Sequence, residues 1–399
     1  MRFSHLLLSP LFAASTMALL LLPQTVRAFG TATTTKTIIA AFSSSHHAKK
    51  TLPKFLGRST FRAIRNKEVT IPLMSSSSSE EVTTEEIDWE QYHNKNNLND
   101  QVFSAISGDG GIKVTAATVR NLVNEFMIMH SLTEVPIDAL GRTATCSVLL
   151  SNGMQDEQVF QVSMNGDGPL RGIVAIANGK GEVRGYVGNP GIGSMSLQEA
   201  VGKGTVNVVK NHPDWPNPYN GITAIRDGDI DRDIGIYLAE SEQRSCALAA
   251  ATTVNGILCT SAGGYLVEQL PDCSEETMKR VETNLATLVE KDGTDKLPTG
   301  LLNTGVTPLE IAEIILDGLD MKPLQQIEPK AACHCTEERL FRAVRLLPKE
   351  EVDDILKKEE QIEARCQFCG KVYRMGPDEV AERFANAQGD PSKDSDMNL

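Results

Sequence analysis

The chain has 399 residues, of which 41% are hydrophobic and 23% charged, with a formal net charge of −13 and eight cysteines. This length leaves room for two domains with a normal hydrophobic core. Eight cysteines in so long a chain do not make a secreted disulfide scaffold, which favours a reducing compartment. The acidic balance argues against nucleic-acid binding, because phosphate contacts require a basic surface.

The first 67 residues predict a two-part targeting leader. Residues 6–22 are an apolar run preceded by Arg2 and followed by a small-residue cleavage context at 26–28, which fits a signal peptide better than a membrane span. A Ser/Thr-rich segment follows, and the leader as a whole is basic and free of acidic residues, as transit peptides are. This arrangement resembles the leaders of proteins sent to secondary plastids in diatoms and related algae. We therefore expect a plastid address, with the mitochondrion as the alternative.

Removal of the leader makes the rest of the chain strongly acidic. Residues 1–67 hold ten of the 39 Lys and Arg, which leaves 29 basic against 52 acidic residues and a net charge of −23. Such a charge favours solubility and again disfavours a nucleic-acid partner. Residues 68–97 contain a serine run followed by glutamates and predict a disordered spacer, and residues 386–399 predict a disordered tail.

Residues 98–273 predict an α+β core domain with a mixed, largely antiparallel sheet and packed helices. Residues 115–130 carry an apolar stripe that predicts an amphipathic helix, and 233–240 predict another helix. Residues 247–254 predict a strand that enters a type I′ hairpin turn at Asn255-Gly256. Short apolar or alternating runs predict the remaining strands, at 160–164, 172–177, 183–187, 205–210 and 222–226.

The glycine-rich segments of this domain do not predict a phosphate loop or an enzyme. The segment 202–205, Gly-Lys-Gly-Thr, has glycine where a Walker A motif requires Ser or Thr after the lysine. The segment 165–169 predicts a turn between strands, since Gly and Asp supply the required backbone angles. No Ser-His-Asp or Cys-His arrangement stands out, so we expect no catalytic activity.

Residues 274–330 predict a helical linker. Ser274 can cap one helix, and Thr307 to Glu310 form a capping box with Pro308 at the first helical position of a second. Residues 291–304 separate the two helices. Because short helices depend on tertiary packing, we expect this linker to be metastable and to melt when a neighbouring element unfolds.

Four of the cysteines form two unequal pairs within residues 331–385. Cys333 and Cys335 form a C-x-C, and Cys366 and Cys369 form a C-x-x-C, with thirty residues between the pairs. Four thiolates fit the tetrahedral coordination of zinc, so we predict one Zn²⁺ per chain held by these four residues. Each pair is also spaced so that its own two sulfurs could join, which makes the site a candidate redox switch.

Alternatives to a redox switch remain open at this point. A closed structural zinc knuckle accounts for the same spacing, and His334 could in principle replace one cysteine as a ligand. A thioredoxin-like site is disfavoured because Gly370 and a strand-like segment follow the C-x-x-C. A zinc-ribbon adaptor for nucleic acid is disfavoured by the charge. The other cysteines lie outside the pairs and predict, for the most part, buried free thiols: Cys146, Cys246, Cys259 and Cys273.

Two helices are predicted between the cysteine pairs, at 337–347 and 349–357, and each carries a single apolar stripe. A domain this small cannot bury enough apolar surface to fold readily alone. We therefore expect residues 331–385 to depend on their metal for folding.

Over roughly residues 98–384 the chain resembles the heat-shock protein 33 family of redox-regulated holdase chaperones. The resemblance depends on the spacing of the cysteine pairs, on the segment Leu-Pro-Lys-Glu-Glu-Val at 347–352 and on Tyr373 after Cys369-Gly370. It also includes short core motifs at 166–169, 241–243, 263–264 and 269–271. The long leader and the acidic tail depart from the family pattern.

This resemblance implies a mechanism. In the reduced, inactive protein the four cysteines would bind zinc, and oxidation would join Cys333 to Cys335 and Cys366 to Cys369 with loss of the metal. The domain 331–385 and then the linker would unfold, and apolar surface would bind unfolding client proteins without ATP. Activation would accompany homodimer formation. A structural zinc module or nucleic-acid adaptor without redox switching is the alternative function.

Overall fold

A computed structural model describes residues 99–292, 298–344 and 347–386 of the chain. The predicted leader, the spacer 68–97 and all but the first residue of the tail 386–399 lie outside these residues. The fold is α+β, as predicted from the sequence. None of the described helices has the length and apolar character needed to cross a bilayer.

Thirteen strands and ten helices lie in the described residues. The strands are β1 (Gln101–Ile106), β2 (Ile112–Thr118), β3 (Val159–Gly166), β4 (Ile173–Asn178), β5 (Glu182–Val187), β6 (Gly204–Asn211), β7 (Tyr219–Ala224), β8 (Cys246–Asn255), β9 (Leu258–Gln269), β10 (Lys322–Ile327), β11 (Lys330–Ala331), β12 (Ile362–Arg365) and β13 (Val372–Met375). The helices are α1 (Arg120–His130), α2 (Glu134–Ser151), α3 (Leu197–Val201), α4 (Ile230–Ser241), α5 (Glu275–Asp292), α6 (Thr299–Asn303), α7 (Pro308–Ile315), α8 (Glu337–Val344), α9 (Lys349–Glu359) and α10 (Pro377–Asn386).

The core has two sheets with helix α2 between them. Sheet A is antiparallel, in the order β10-β1-β2-β9-β8, and sheet B has the order β11-β5-β4-β3-β6-β7. Helix α2 contacts β4 and β5 of sheet B and β8 and β9 of sheet A. All of its residues except Glu134 and Asp138 are buried, as expected for a helix that is covered on every side.

The second face of sheet A is covered by the helices of the predicted linker. Alternate residues of its strands point away from α2 and pack against α5 and α7, in a second apolar cluster. The sheet contributes Phe103, Ile112, Val114, Tyr265 and Val267, and the helices contribute Val281, Leu285, Leu288, Ile311 and Ile315. The linker is therefore a layer of the core in this state.

Most predicted core elements are present, and two differ in their bounds. The strands at 160–164, 172–177, 183–187 and 205–210 and the helix at 233–240 are confirmed as β3 to β6 and α4. The predicted strand at 222–226 lies earlier, at β7. The helix predicted from residue 115 begins only at Arg120, because residues 112–118 form a strand that pairs with β1 on one side and β9 on the other. The Asp100 carboxylate then accepts hydrogen bonds from the first N–H groups of the helix.

The hairpin turn between β8 and β9 differs from the sequence prediction by one residue. Asn255 pairs with Leu258, so the two-residue loop is Gly256-Ile257. Gly256 has a positive φ of 62°, whereas Ile257 does not have a positive φ. Positive φ at the first loop position alone is the pattern of a type II′ turn, not the predicted type I′ turn on Asn255-Gly256.

The helix caps predicted in the linker are present, but the linker is not helical throughout. The Ser274 hydroxyl accepts from the Thr277 N–H at 3.0 Å, and Thr307 and Glu310 form a complete capping box at the start of α7. Residues 322–327 form the edge strand β10, which pairs with β1. An exposed edge strand with a proline and polar residues carries little periodic signal in the sequence, which explains why it was not predicted.

Candidate metal centre

The four paired cysteines lie in a small thiol module, residues 331–385, that follows directly after β11. Strands β12 and β13 pair as a hairpin, and the C-x-x-C lies in the turn between them. The Gly370 N–H donates to the Cys366 carbonyl and the Cys366 N–H donates to the Lys371 carbonyl, both at 2.9 Å. Gly370 has a φ of 71°, which favours glycine. This tight turn points both sulfurs of the C-x-x-C to one side.

The fold brings all four predicted ligands together. Their sulfur atoms lie within 4.8 Å of one another. Cys333 Sγ is 3.7 Å from Cys366 Sγ, and Cys335 Sγ is 3.4 Å from Cys369 Sγ. Zinc with four sulfur ligands at about 2.3 Å would separate them by roughly 3.8 Å. The donor set and its spacing therefore fit one zinc ion.

Protein groups make the four thiols unequal. Burial raises the pKa of Cys333 and Cys369 above the ordinary thiol value. Burial also acts on Cys335, but its hydrogen-bonding contacts with the Tyr373 hydroxyl and with the neighbouring thiols lower the pKa of Cys335 to about 7. A cation among the sulfurs favours the thiolate forms that coordination requires. A coordinated cation would therefore offset the effect of burial on these thiols.

Tyr373 on β13 holds the C-x-C half against the C-x-x-C half. Its hydroxyl donates to the Cys335 carbonyl at 3.0 Å and lies 3.4 Å from Cys335 Sγ. A second support comes from Arg339, whose guanidinium donates to the His334 carbonyl at 3.1 Å. Support around ligands fixes their orientation and the affinity for metal.

His334 does not belong to the ligand cluster. Its Nε2 lies 3.4 Å from a carboxylate oxygen of Glu182 on β5, and about half of the side chain is exposed. The sequence allowed His334 as a substitute ligand or as a solvent-facing side chain. The structure places it at the contact between the thiol module and sheet B.

Contacts between the thiol module and the core converge on β5. The Phe368 ring, inside the C-x-x-C, meets the Tyr186 ring edge-on with centroids 5.1 Å apart, and the Arg184 guanidinium lies over the same ring at 4.9 Å. Both cysteine segments therefore contact the same strand, the C-x-C through His334 and the C-x-x-C through Phe368. Sequence analysis missed these contacts, since nothing local relates 184–186 to residue 368.

The remaining cysteines are outside the cluster. Cys146, Cys246 and Cys259 are buried and Cys273 is partly buried. Burial raises the pKa of all four thiols. The prediction of buried free thiols is confirmed for three of them.

Known proteins with this sequence pattern are chaperones. The sequence profile of the Hsp33 protein family matches residues 100–376. The 33 kDa chaperonin of Clostridioides difficile is 35% identical over 296 residues, 71% of this chain and 98% of that protein. The 33 kDa chaperonin of a Nostoc species is 34% identical over 303 residues, 73% of this chain and 98% of that protein.

A solved structure shares the fold. The crystal structure of a 33 kDa chaperonin from Thermotoga maritima superposes with a TM-score of 0.65 at 24% identity, covering 73% of this chain and all of that one. Fold, thiol cluster and relatives together define a molecular chaperone with a four-cysteine module. The chain belongs to the Hsp33 family, which confirms the resemblance inferred from its motifs.

Proposed function

We propose that this protein is a redox-regulated, ATP-independent holdase that binds unfolding proteins under oxidative stress. The observation that carries the proposal is that four sulfurs within 4.8 Å of one another lie in the module that contacts the core through β5. A change in the state of those sulfurs changes how the module is held. The family relationship supports the chaperone activity, and the geometry supports its control.

In the reduced state the four cysteines would hold one zinc ion, which when bound crosslinks the two halves of the module and stabilises the thiolates. On oxidation, Cys333 joins Cys335 and Cys366 joins Cys369. Four thiolates give up four electrons in forming two S–S bonds. Two molecules of hydrogen peroxide accept them and, with four protons, become water. The chain then lacks the ligands that a zinc site requires.

Loss of those ligands would unfold the thiol module, because its own apolar cluster is small. Among the side chains that the structure describes, the buried residues of that cluster are Val344, Val352, Ile362, Met375 and Val380. A cluster of small and medium-sized side chains supplies little apolar burial to order a domain of this size without a crosslink. Without the metal, the two halves lose the crosslink through zinc and keep weaker links, such as the Tyr373 hydrogen bond to the Cys335 carbonyl.

Unfolding of the module would then release the linker, residues 274–330. Strand β10 ends three residues before β11 begins, and β11 ends two residues before Cys333. Strain at the module therefore acts directly on β10 and on the helices that precede it. Release of α5 and α7 would uncover the apolar face of sheet A described above. We propose this face and the linker as client-binding surface, and homodimer formation as part of activation.

The decisive experiment follows three quantities together in the purified protein, before and after treatment with peroxide at mild heat. We expect one zinc per chain and weak suppression of client aggregation in the reduced protein. After oxidation we expect zinc loss, lower helical content by circular dichroism and strong suppression, all reversed by reductant with zinc. Equal suppression by the reduced, zinc-loaded, folded protein would reject redox control.

A further inference from the structure

Sheet B has one edge that is open and one that is covered by the chain itself. The open edge is β7, where Tyr219 and Ile222 are exposed. The covered edge is β5, where residues 330–332 lie alongside as a short parallel strand. The Lys330 N–H donates to the Gly181 carbonyl at 2.9 Å, and the Ala332 N–H donates to the Val183 carbonyl at 2.8 Å.

The cover continues beyond this short strand. Alternate residues of a strand direct their backbone polar groups to the same side, so Gly185 is the next residue of β5 that faces the edge. The Gly185 carbonyl lies 3.0 Å from Nε2 of His130. The carbonyls of residues 181, 183 and 185 along this edge are therefore all occupied, two by the segment leading into Cys333 and one by helix α1.

A cavity of about 170 Å³ lies beside the covered edge. Its apolar lining comes from Val159, Ile176 and Ala177, and its polar rim includes Arg184 and His334. Ala332 also lines this space with only a methyl group. The site therefore combines the hydrogen-bonding edge of β5 with a cavity that has room for a side chain larger than that of Ala332.

We propose that the β5 edge is a docking site for one extended segment of an unfolding protein, and that residues 330–332 occupy it as a resident strand in the reduced state. This inference rests on the proposed holdase function and adds a second, separate surface to it. The resident strand shows that the edge accepts an extended peptide. Strand addition works through backbone hydrogen bonds, so it tolerates the varied sequences of unfolded chains.

The position of the resident strand connects this edge to the thiol centre. It has two residues and two backbone donors, and Cys333 follows Ala332 directly. When the module unfolds, nothing downstream holds the short strand in register. The β7 edge is already exposed in this state, so oxidation would not change its accessibility to an unfolding protein.

A proline pair tests this inference without touching a sulfur ligand. Proline lacks the backbone N–H, so Lys330→Pro with Ala332→Pro removes both donors of the resident strand. The control pair Lys330→Ala with Ala332→Ser keeps them. The probe is reduced, carboxamidomethylated ribonuclease A, which is permanently unfolded. We expect the reduced proline variant to keep one zinc and to bind this probe at least about tenfold more tightly than the reduced control.

Hydrogen exchange on the unmodified protein provides a second, independent test of the docking site. The Val183 N–H faces the resident strand, which pairs with β5 at residues 182 and 183, so we expect slow exchange of this amide when reduced, fast exchange when oxidised, and slow exchange again when the oxidised protein holds the probe. Oxidised protein that binds the probe while the Val183 amide stays fast would overturn the docking site and leave the holdase function standing. Failure of the oxidised protein to bind the probe at all would reject both.

Discussion

At the scale of single residues, the four paired cysteines are distinguished from the other four by geometry. Cys333, Cys335, Cys366 and Cys369 meet at one point, whereas Cys273 lies apart near the start of helix α5. Removing one of four ligands leaves an incomplete tetrahedron, and a three-thiol site with an open position holds zinc much less well.

We predict that Cys366→Ser loses most of its zinc, whereas Cys273→Ser retains one ion per chain. Both changes replace sulfur by oxygen, so the comparison isolates the position of the thiol. Metal analysis of the reduced, gel-filtered variants checks this. Full zinc retention in the Cys366 variant would remove that residue from the ligand set.

Arg142 is a second residue whose role appears only in three dimensions. It lies within the buried helix α2, its Nε donates to the Ala250 carbonyl at 3.1 Å, and its guanidinium pairs with Asp231 and with Asp229. Burial raises the pKa of Asp231 to about 6, against the attraction of Arg142. This ion pair joins α2, α4 and β8, and removal of one partner leaves a buried charge poorly compensated.

We predict that Asp231→Ala lowers the free energy of unfolding of the reduced protein by about 3 kcal/mol. The matched control is Glu240→Gln, which breaks the exposed pair between Glu240 and Arg226 at 3.1 Å and should cost at most about 1 kcal/mol. Urea unfolding of both variants measures the difference. Equal, small losses would show that the buried pair contributes no more than the exposed one.

The sequence predicted the ligand residues but not the residues that hold them in place. Spacing alone identified the cysteines, because the ligands of structural zinc sites commonly come in short local pairs. Phe368, Tyr186 and His130 had no such signal, since their contacts join positions that are far apart in the chain. Asp231 lies just before the helix predicted at 233–240, and nothing local relates it to Arg142.

At the scale of elements, sequence prediction succeeded where one face of an element is exposed. Strands β3 and β6 and helix α4 showed clear periodicity. Helix α2 is buried on all sides, so its sequence lacks a polar stripe and gave no helix prediction. Residues 115–118 of strand β2 were wrongly assigned to a helix, because tertiary pairing with β1 and β9 overrides the local pattern.

One polar contact fixes the linker to the core at the element scale. The Asp109 carboxylate, between β1 and β2, accepts from Ser107, from Thr277 on α5 and from the Gly111 N–H. These hydrogen bonds lower the pKa of Asp109 to about 2 from its ordinary value of 3.8. A carboxyl group whose pKa is lowered by folding stabilises the folded protein at every pH above its ordinary pKa. That contribution is lost as the pH falls from the ordinary pKa through the pKa of the folded protein.

We predict that Asp109→Asn destabilises the packing of α5 by about 1 kcal/mol at neutral pH. The difference in unfolding free energy between this variant and the unmodified protein should stay constant between about pH 8 and pH 5 and shrink only below about pH 4. Urea midpoints across this range provide the measurement, with Asp156→Asn on the exposed loop before β3 as the control. A difference that changed between pH 8 and pH 5 would assign the effect to another group.

At the scale of the whole molecule, the junction at residues 322–335 connects every layer. Strand β10 completes sheet A, β11 completes sheet B, and Cys333 and Cys335 follow at once. Under the redox switch that we propose, one chemical change at the sulfurs would therefore loosen the covers of both sheets. The sequence could predict a linker and a metal module but not this junction, because edge strands of two and six residues carry almost no pattern.

The family match begins at residue 100 and does not include the leader that the sequence predicts. Residues 1–67 include an apolar run at 6–22 and have ten basic and no acidic residues. An apolar run followed by a basic, acid-free segment is the pattern of a signal peptide joined to a transit peptide. We predict that residues 1–67 fused to a fluorescent protein direct it to the plastid of a diatom. Deletion of 6–22 should leave the fusion outside the plastid, since the first import step would be lost. Delivery of the intact fusion to mitochondria would replace the plastid assignment with the alternative.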